Sequence, residues 1–149
     1  VGLGAAAERA MRILEGKTKK EITLRDYLIE RLEKEVPYCH LNGHRTKRLP
    51  NNVNFSFRFV QGESVLIMLD MKGICASSGS ACSSGSLDPS HVLLAIGLMP
   101  EEARGSLRLT LSEDNTKEEI DTTVEAVKAI VERLRSMSEE YESFRRAMK

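Results

Sequence analysis

Neither sign of charge is in surplus in this sequence: 22 Lys and Arg balance 22 Asp and Glu, for a formal net charge of zero. That balance supplies no bulk electrostatic pull toward nucleic acid or an acidic membrane surface. Cysteine is scarce. Cys39, Cys75 and Cys82 form no CxxC pair, and an odd count of three does not make a disulfide framework, which points to a reducing, cytoplasmic compartment. There is no apolar run long enough to span a bilayer and no signal-peptide pattern. An initiating Met is missing too. Val1-Gly2-Leu3-Gly4-Ala5-Ala6-Ala7 begins inside a helix-like pattern, which suggests a piece of something longer.

What is present fits one compact domain with an appended helix. At 149 residues a chain can bury roughly 70% of its unfolded surface and needs no metal or disulfide to hold together. Residues 4–15 read as an Ala-rich helix closed by Gly16, and Thr23 as the cap of a second helix through Val36, ended by Pro37. Tyr38 to Leu41 reads as a short strand. Asn52 to Val60 is the clearest strand, with Val53, Phe55, Phe57 and Phe59 facing one way and Asn54, Ser56 and Arg58 the other. Gly62 to Lys72 reads as a helix closed by Gly73, and Ile74 to Ala76 as a short apolar strand.

Asp88-Pro89 has the form of a helix start, a capping carboxylate followed by Pro at the first helical position, with Gly97 as the stop. Gly105 to Leu111 alternates Leu107, Leu109 and Leu111 against Ser106, Arg108 and Thr110. Thr116-x-x-Glu119 is a capping box opening a helix with Ile120, Val124, Val127, Val131 and Leu134 on one face, and a polar helical tail follows from Ser138. Short connections and irregular alternation of elements predict a small α+β layer rather than a doubly wound sheet.

The chemistry concentrates in Ser77-Ser78-Gly79-Ser80-Ala81-Cys82-Ser83-Ser84-Gly85-Ser86, where eight of ten residues are Ser or Gly around one cysteine. Such a run packs poorly as core, so Cys82 is expected on a mobile, solvent-facing loop where a thiolate can react. A plain flexible linker is the bland alternative. Against it, a thiol displayed on a polar loop is an oxidation hazard without a purpose. The loop holds no Lys or Arg to activate the thiol. Cys39 and Cys75 sit in apolar, strand-like surroundings and read as buried structural thiols.

Arg108 is the second candidate. It falls mid-strand opposite the leucines, either as an ordinary solvent-facing Arg or as a planar fork that clamps a carboxylate. His91 can be drawn as a polariser of Cys82, though a helix-surface role is the default. Cys39, His40 and His44 can be drawn as a zinc site but lack paired spacing and a fourth ligand. The basic stretch His44-Arg45-Thr46-Lys47-Arg48 reads as a solvated loop.

Ser78-Gly79-Ser80-Ala81-Cys82, followed by Leu87-Asp88-Pro89-Ser90-His91-Val92-Leu93-Leu94-Ala95-Ile96-Gly97-Leu98, closely resembles the C-terminal part of cysteine desulfurases of the NifS/IscS type. The likeness extends back through Leu49-Pro50-Asn51-Asn52-Val53-Asn54-Phe55-Ser56-Phe57 and forward through Gly105-Ser106-Leu107-Arg108-Leu109-Thr110-Leu111 and Asn115-Thr116-Lys117-Glu118-Glu119-Ile120-Asp121. It covers most of the chain, in order. The resemblance implies the small C-terminal domain of a fold-type-I pyridoxal-phosphate enzyme: a short, mostly antiparallel sheet packed against helices and preceded by an interdomain helix. Residues 1–36 would be the interdomain helix and a second helix. Residues 37–149 would be the small domain, with the active-site cysteine loop at about 77–87.

The implied activity converts L-cysteine to L-alanine and leaves a persulfide on Cys82, for transfer to an iron–sulfur scaffold or another acceptor. Arg108 would clamp the substrate carboxylate, and Cys82 would at most be a transient iron–sulfur ligand; no resident metal is implied. The family's cofactor lysine and phosphate-binding segments lie upstream of what Val1 matches. Lysines 17, 19, 20, 34, 47, 72, 117, 128 and 149 fall on polar faces, loops or the tail. The chain is therefore expected to bind no cofactor and to be inactive alone, with its large domain absent and the parent a homodimer. A non-enzymatic persulfide carrier or scaffold-binding module is the alternative. Another departure is Ser112-Glu113-Asp114, where relatives often carry Gly or Ser followed by Arg.

Overall fold

The computed structural model describes residues 1–78 and 89–148. It opens with one continuous helix, α1 (Gly2–Glu35), where the sequence suggested two. Gly16 does not end it: a mid-helix Gly costs only about 1 kcal/mol, and its neighbours are good helix formers. Thr23 is not a cap either. Its Oγ1 donates back to the Lys19 carbonyl at 3.0 Å, so the hydroxyl is satisfied within the helix. The two halves of α1 differ sharply. Leu24, Leu28, Ile29 and Leu32 are buried, while Leu3, Met11 and Leu14 are exposed.

Three strands follow the helix in a pattern set by alternation. β1 (Cys39–Leu41), β2 (Asn52–Phe57) and β3 (Ser106–Thr110) form an antiparallel sheet in the order β1-β2-β3. Cys39 stands opposite Phe57, Asn54 opposite Arg108, and Ser56 opposite Ser106. Successive side chains on a strand point to opposite faces. Val53, Phe55 and Phe57 with Leu107 and Leu109 therefore build one apolar face. It is covered by α1, by α2 (Gly62–Asp70) and by α5 (Lys117–Ser136), whose Val65, Leu69, Val124, Val127 and Ile130 join the same core. Thr116 and Glu119 cap α5 reciprocally, as its capping-box sequence requires.

Other expectations need correction. β2 stops at Phe57, because Phe59 takes φ 68°, a left-handed conformation. Its ring turns away from the core stripe to meet Tyr141 and Phe144 of α6 (Glu139–Ala147) at 5.3 and 4.9 Å. Residues 74–76 form no strand; only Ser77 makes an isolated bridge. α3 (His91–Ala95) starts two residues after Pro89, so that Pro is not its first residue, and Asp88 lies outside the described residues. α4 (Pro100–Arg104) was not anticipated, although Pro100 at its first position and Glu102, which accepts from the Met99 N–H at 3.2 Å, are ordinary start signals. A Cβ on Gly105 would overlap the Phe57 carbonyl, so the close approach of that turn to β2 admits only glycine.

Among the described residues, no helix is long and apolar enough to cross a membrane.

Candidate functional site

The face of the sheet turned away from the core is polar, and the strand register places its residues in rows. One row runs Asn42, Asn54, Arg108, Ser77. Asn42 follows β1 and donates its backbone N–H to the Asn54 carbonyl at 2.8 Å. Asn54 is the register partner of Arg108. Arg108 in turn exchanges two backbone hydrogen bonds with Ser77, from Ser77 N at 3.0 Å and from Arg108 N at 2.6 Å. The free edge of β3 is thereby paired with the residue that opens the Ser/Gly run.

Side chains reinforce the row. The Asn42 amide is buried and donates to Asn54 Oδ1 at 2.6 Å and to Ser56 Oγ at 3.0 Å. Arg48 holds Asn42 from behind: its guanidinium donates to the carbonyls of Asn42, His44 and Asn52 at 2.7, 2.8 and 3.3 Å. Burial, with Arg25 and Arg45 nearby, lowers the Arg48 pKa from its ordinary value. The basic stretch 44–48 is a loop exposed at residues 44–47, as expected, and it is also tied internally, since His44 Nδ1 accepts from the backbone N–H groups of Thr46 and Lys47.

Arg108 itself is half-buried between Leu107 and Leu109, which point into the core. Its guanidinium makes no hydrogen bond or ion pair with a described side chain. Cys82 lies outside the described residues, and His91 is exposed at the start of α3. The polar row therefore contains Arg108 and the entry to the cysteine segment. The sequence marks neither Asn42 nor the pairing that sets Asn54 and Ser77 beside Arg108. Asn54 was legible as outward-facing on β2, but its register with Arg108 depends on a pairing between distant strands.

The other cysteines divide. Cys75 is exposed, against the expectation of a buried thiol, because the segment that carries it does not join the sheet. Cys39 is half-buried, with Sγ 3.0 Å from the Val36 carbonyl, and burial pushes its thiol up to about 11. A raised thiol is a poor nucleophile and a poor metal ligand. Among the described residues, no three His, Cys, Asp or Glu side chains gather as a metal site. A groove of about 860 Å³ between α4 and α6, lined by Arg58, Phe59, Met99 and Met137, contains none of the candidate residues.

Pyridoxal phosphate needs a lysine whose amine loses its proton readily in dry surroundings. The described lysines do not fit. None is buried. Lys17 is raised by its hydrogen bond and charge pairing with Glu113, and Lys117 by Tyr27 and Asp121, so both are held in the charged form.

The aminotransferase class-V family model matches residues 1–123. The cysteine desulfurase IscS of Methanosarcina thermophila is 53% identical over 138 residues, covering 93% of this chain and 34% of that protein. The cysteine desulfurase IscS of Clostridium botulinum is 50% identical over 146 residues, covering 97% of this chain and 37% of that protein. The chain thus spans about a third of the length of the curated relatives it matches. A solved NifS-like protein from Rickettsia africae superposes with a TM-score of 0.77 at 30% identity, over 88% of this chain and 33% of that one. A second NifS-like protein gives 0.71 at 27% identity, over 84% and 30%. The α+β arrangement of a small antiparallel sheet against helices is the one these structures share, and the chain belongs to the aminotransferase class-V family.

Proposed function

We propose that this chain is the small-domain part of a cysteine desulfurase, carrying the thiol that takes sulfur from L-cysteine and the arginine that holds the substrate's carboxylate. The observation that carries the reading is the backbone ladder between Ser77 and Arg108, which joins the start of the Cys82 segment to the strand bearing the guanidinium. An Arg fork suits a carboxylate because its planar N–H pair matches the two oxygens.

The overall chemistry balances without an outside oxidant. The Cys82 thiolate attacks the sulfur of L-cysteine, an S–S bond forms, and the sulfur–Cβ bond breaks. The electron pair left on carbon takes up a proton to give L-alanine, and Cys82 leaves as a persulfide. The electron sink for that step, pyridoxal phosphate in the family resemblance, is not held by the lysines described above. It belongs to a large domain outside residues 1–149, and the chain alone is inactive. The parent acts as a cytoplasmic homodimer and passes sulfur to an iron–sulfur scaffold or another thiol acceptor.

The test is mass analysis of the full-length parent after exposure to L-cysteine. One added sulfur atom on the Cys82 peptide is expected, and its appearance on Cys75 or Cys39 instead would overturn the assignment. The surroundings of the lysines also favour a second reading for the separate chain, a persulfide carrier loaded by another protein. Its signature is sulfur gained at Cys82 from a persulfidated donor by the chain alone, at a native mass of one 16.6 kDa chain.

A further inference from the structure

From the geometry of the polar row we infer that Asn54 is the second donor of the substrate-carboxylate clamp, with Asn42 as the residue that aims it; this rests on the reading of Arg108 given above. Arg108 spends its backbone N–H and C=O on Ser77, and the Asn54 carbonyl accepts from the Asn42 N–H. Both residues therefore turn their backbone polar groups away from each other. Asn54 and Arg108 form a non-hydrogen-bonded pair, the kind in which opposed Cα atoms approach to about 4.5 Å and side chains lie closest. The two heads emerge side by side on the face opposite the core.

The amide orientation follows from its partner. Asn54 Oδ1 already accepts from the Asn42 amide at 2.6 Å, and Asn42 is itself fixed through Ser56 Oγ and, at its carbonyl, by Arg48. With its acceptor committed, Asn54 offers its Nδ2–H donors outward, beside a guanidinium that has donors alone. Two neighbouring groups that both donate suit a ligand that only accepts. A carboxylate is such a ligand; a carboxamide would turn its own N–H toward a donor and leave it unpaired. Asn54 thus adds specificity for the free amino acid over its amide.

The experiment uses the full-length parent enzyme and reads KM and kcat for L-cysteine together with the dissociation constant of L-alanine by equilibrium dialysis. Asn54→Ala is expected to raise KM and the L-alanine constant about ten-fold each while kcat stays within about three-fold. Should Asn54→Ala not fold, Asn54→Asp keeps the oxygen that accepts from Asn42 and is expected to weaken L-alanine at least as much. Asn42→Ala is expected to move KM in the same direction, and Arg108→Lys serves as the control for the clamp. If Arg108→Lys raises both constants while the Asn54 variant leaves them within about two-fold, the inference is overturned and the clamp stands. If neither variant changes them, both fall.

Discussion

Ser77 and Arg108 exchange a pair of backbone hydrogen bonds across the outer edge of β3, at 3.0 and 2.6 Å. The chain therefore enters the Cys82 segment directly beside the candidate carboxylate clamp. Ser77→Pro removes the N–H that bonds the Arg108 carbonyl and clashes with edge pairing. In the full-length parent this variant is expected to slow sulfur transfer about ten-fold or more with the core intact. Persulfide formation timed by quenching and mass analysis reads the effect, and an unchanged rate would mean that the ladder does not position the thiol.

Arg108→Lys keeps the charge and loses the planar fork. The expected result is a rise of about ten-fold or more in KM for L-cysteine, since Lys cannot make the paired contact. Steady-state kinetics over a range of L-cysteine concentrations decides it. Unaltered kinetics would identify Arg108 as an ordinary half-buried strand residue.

Cys39 and Cys75 should separate under native alkylation. Iodoacetamide at mildly alkaline pH is expected to modify exposed Cys75 quickly and to spare Cys39, as read by peptide mass analysis. Burial raises the folded-state pKa of Cys39 to about 11 from an ordinary 9.0. Its contribution to stability is complete below the unfolded value and is lost as pH rises through that window, because the unfolded thiol ionises first. Cys39→Ser should flatten the loss of denaturant midpoint between those pH values; an unchanged slope would mean that Cys39 does not titrate there.

Glu113 gathers cations from the exposed half of α1. Lys17 lies 3.1 Å from its carboxylate and Arg9 3.4 Å, and Lys20 donates to its backbone carbonyl. The Lys17 hydrogen bond holds its carboxyl below the ordinary 4.5. A depressed carboxylate stabilises the fold above its unfolded pKa and loses that effect as pH falls through the folded value. Glu113→Gln is expected to reduce the acid-side drop in melting temperature below pH 4.5, and an identical acid profile in both proteins would contradict the clasp.

Much of the fold could be read in the sequence because it is written in local periods. The alternation of Val53, Phe55 and Phe57, the leucines around Arg108, and the Thr116–Glu119 box each specify an element from neighbours alone. What escaped depends on context. Gly16 and Thr23 look like breaks, yet a long run of helix formers carries α1 past both. Phe59 continues the strand pattern until its left-handed backbone, aimed at Tyr141 and Phe144, takes it out. Arg135 reads as one more charge on α5, yet it is buried and donates to the carbonyls of Arg58, Pro37 and Tyr38. At the site, Arg108 stood out by chemistry and position. Asn54 and Ser77 did not, because their role is a register between strands far apart in sequence, and Cys82 lies outside the described residues.

The central claim is that Cys82 receives the sulfur. It is tested most directly by comparing the full-length parent with its Cys82→Ala variant, following L-alanine formation and protein-bound sulfane sulfur in single turnover without added thiol. The account predicts that bound sulfane sulfur disappears in Cys82→Ala and that L-alanine no longer forms in step with it. Undiminished bound sulfur in the variant, on Cys75 or any other residue, would contradict it.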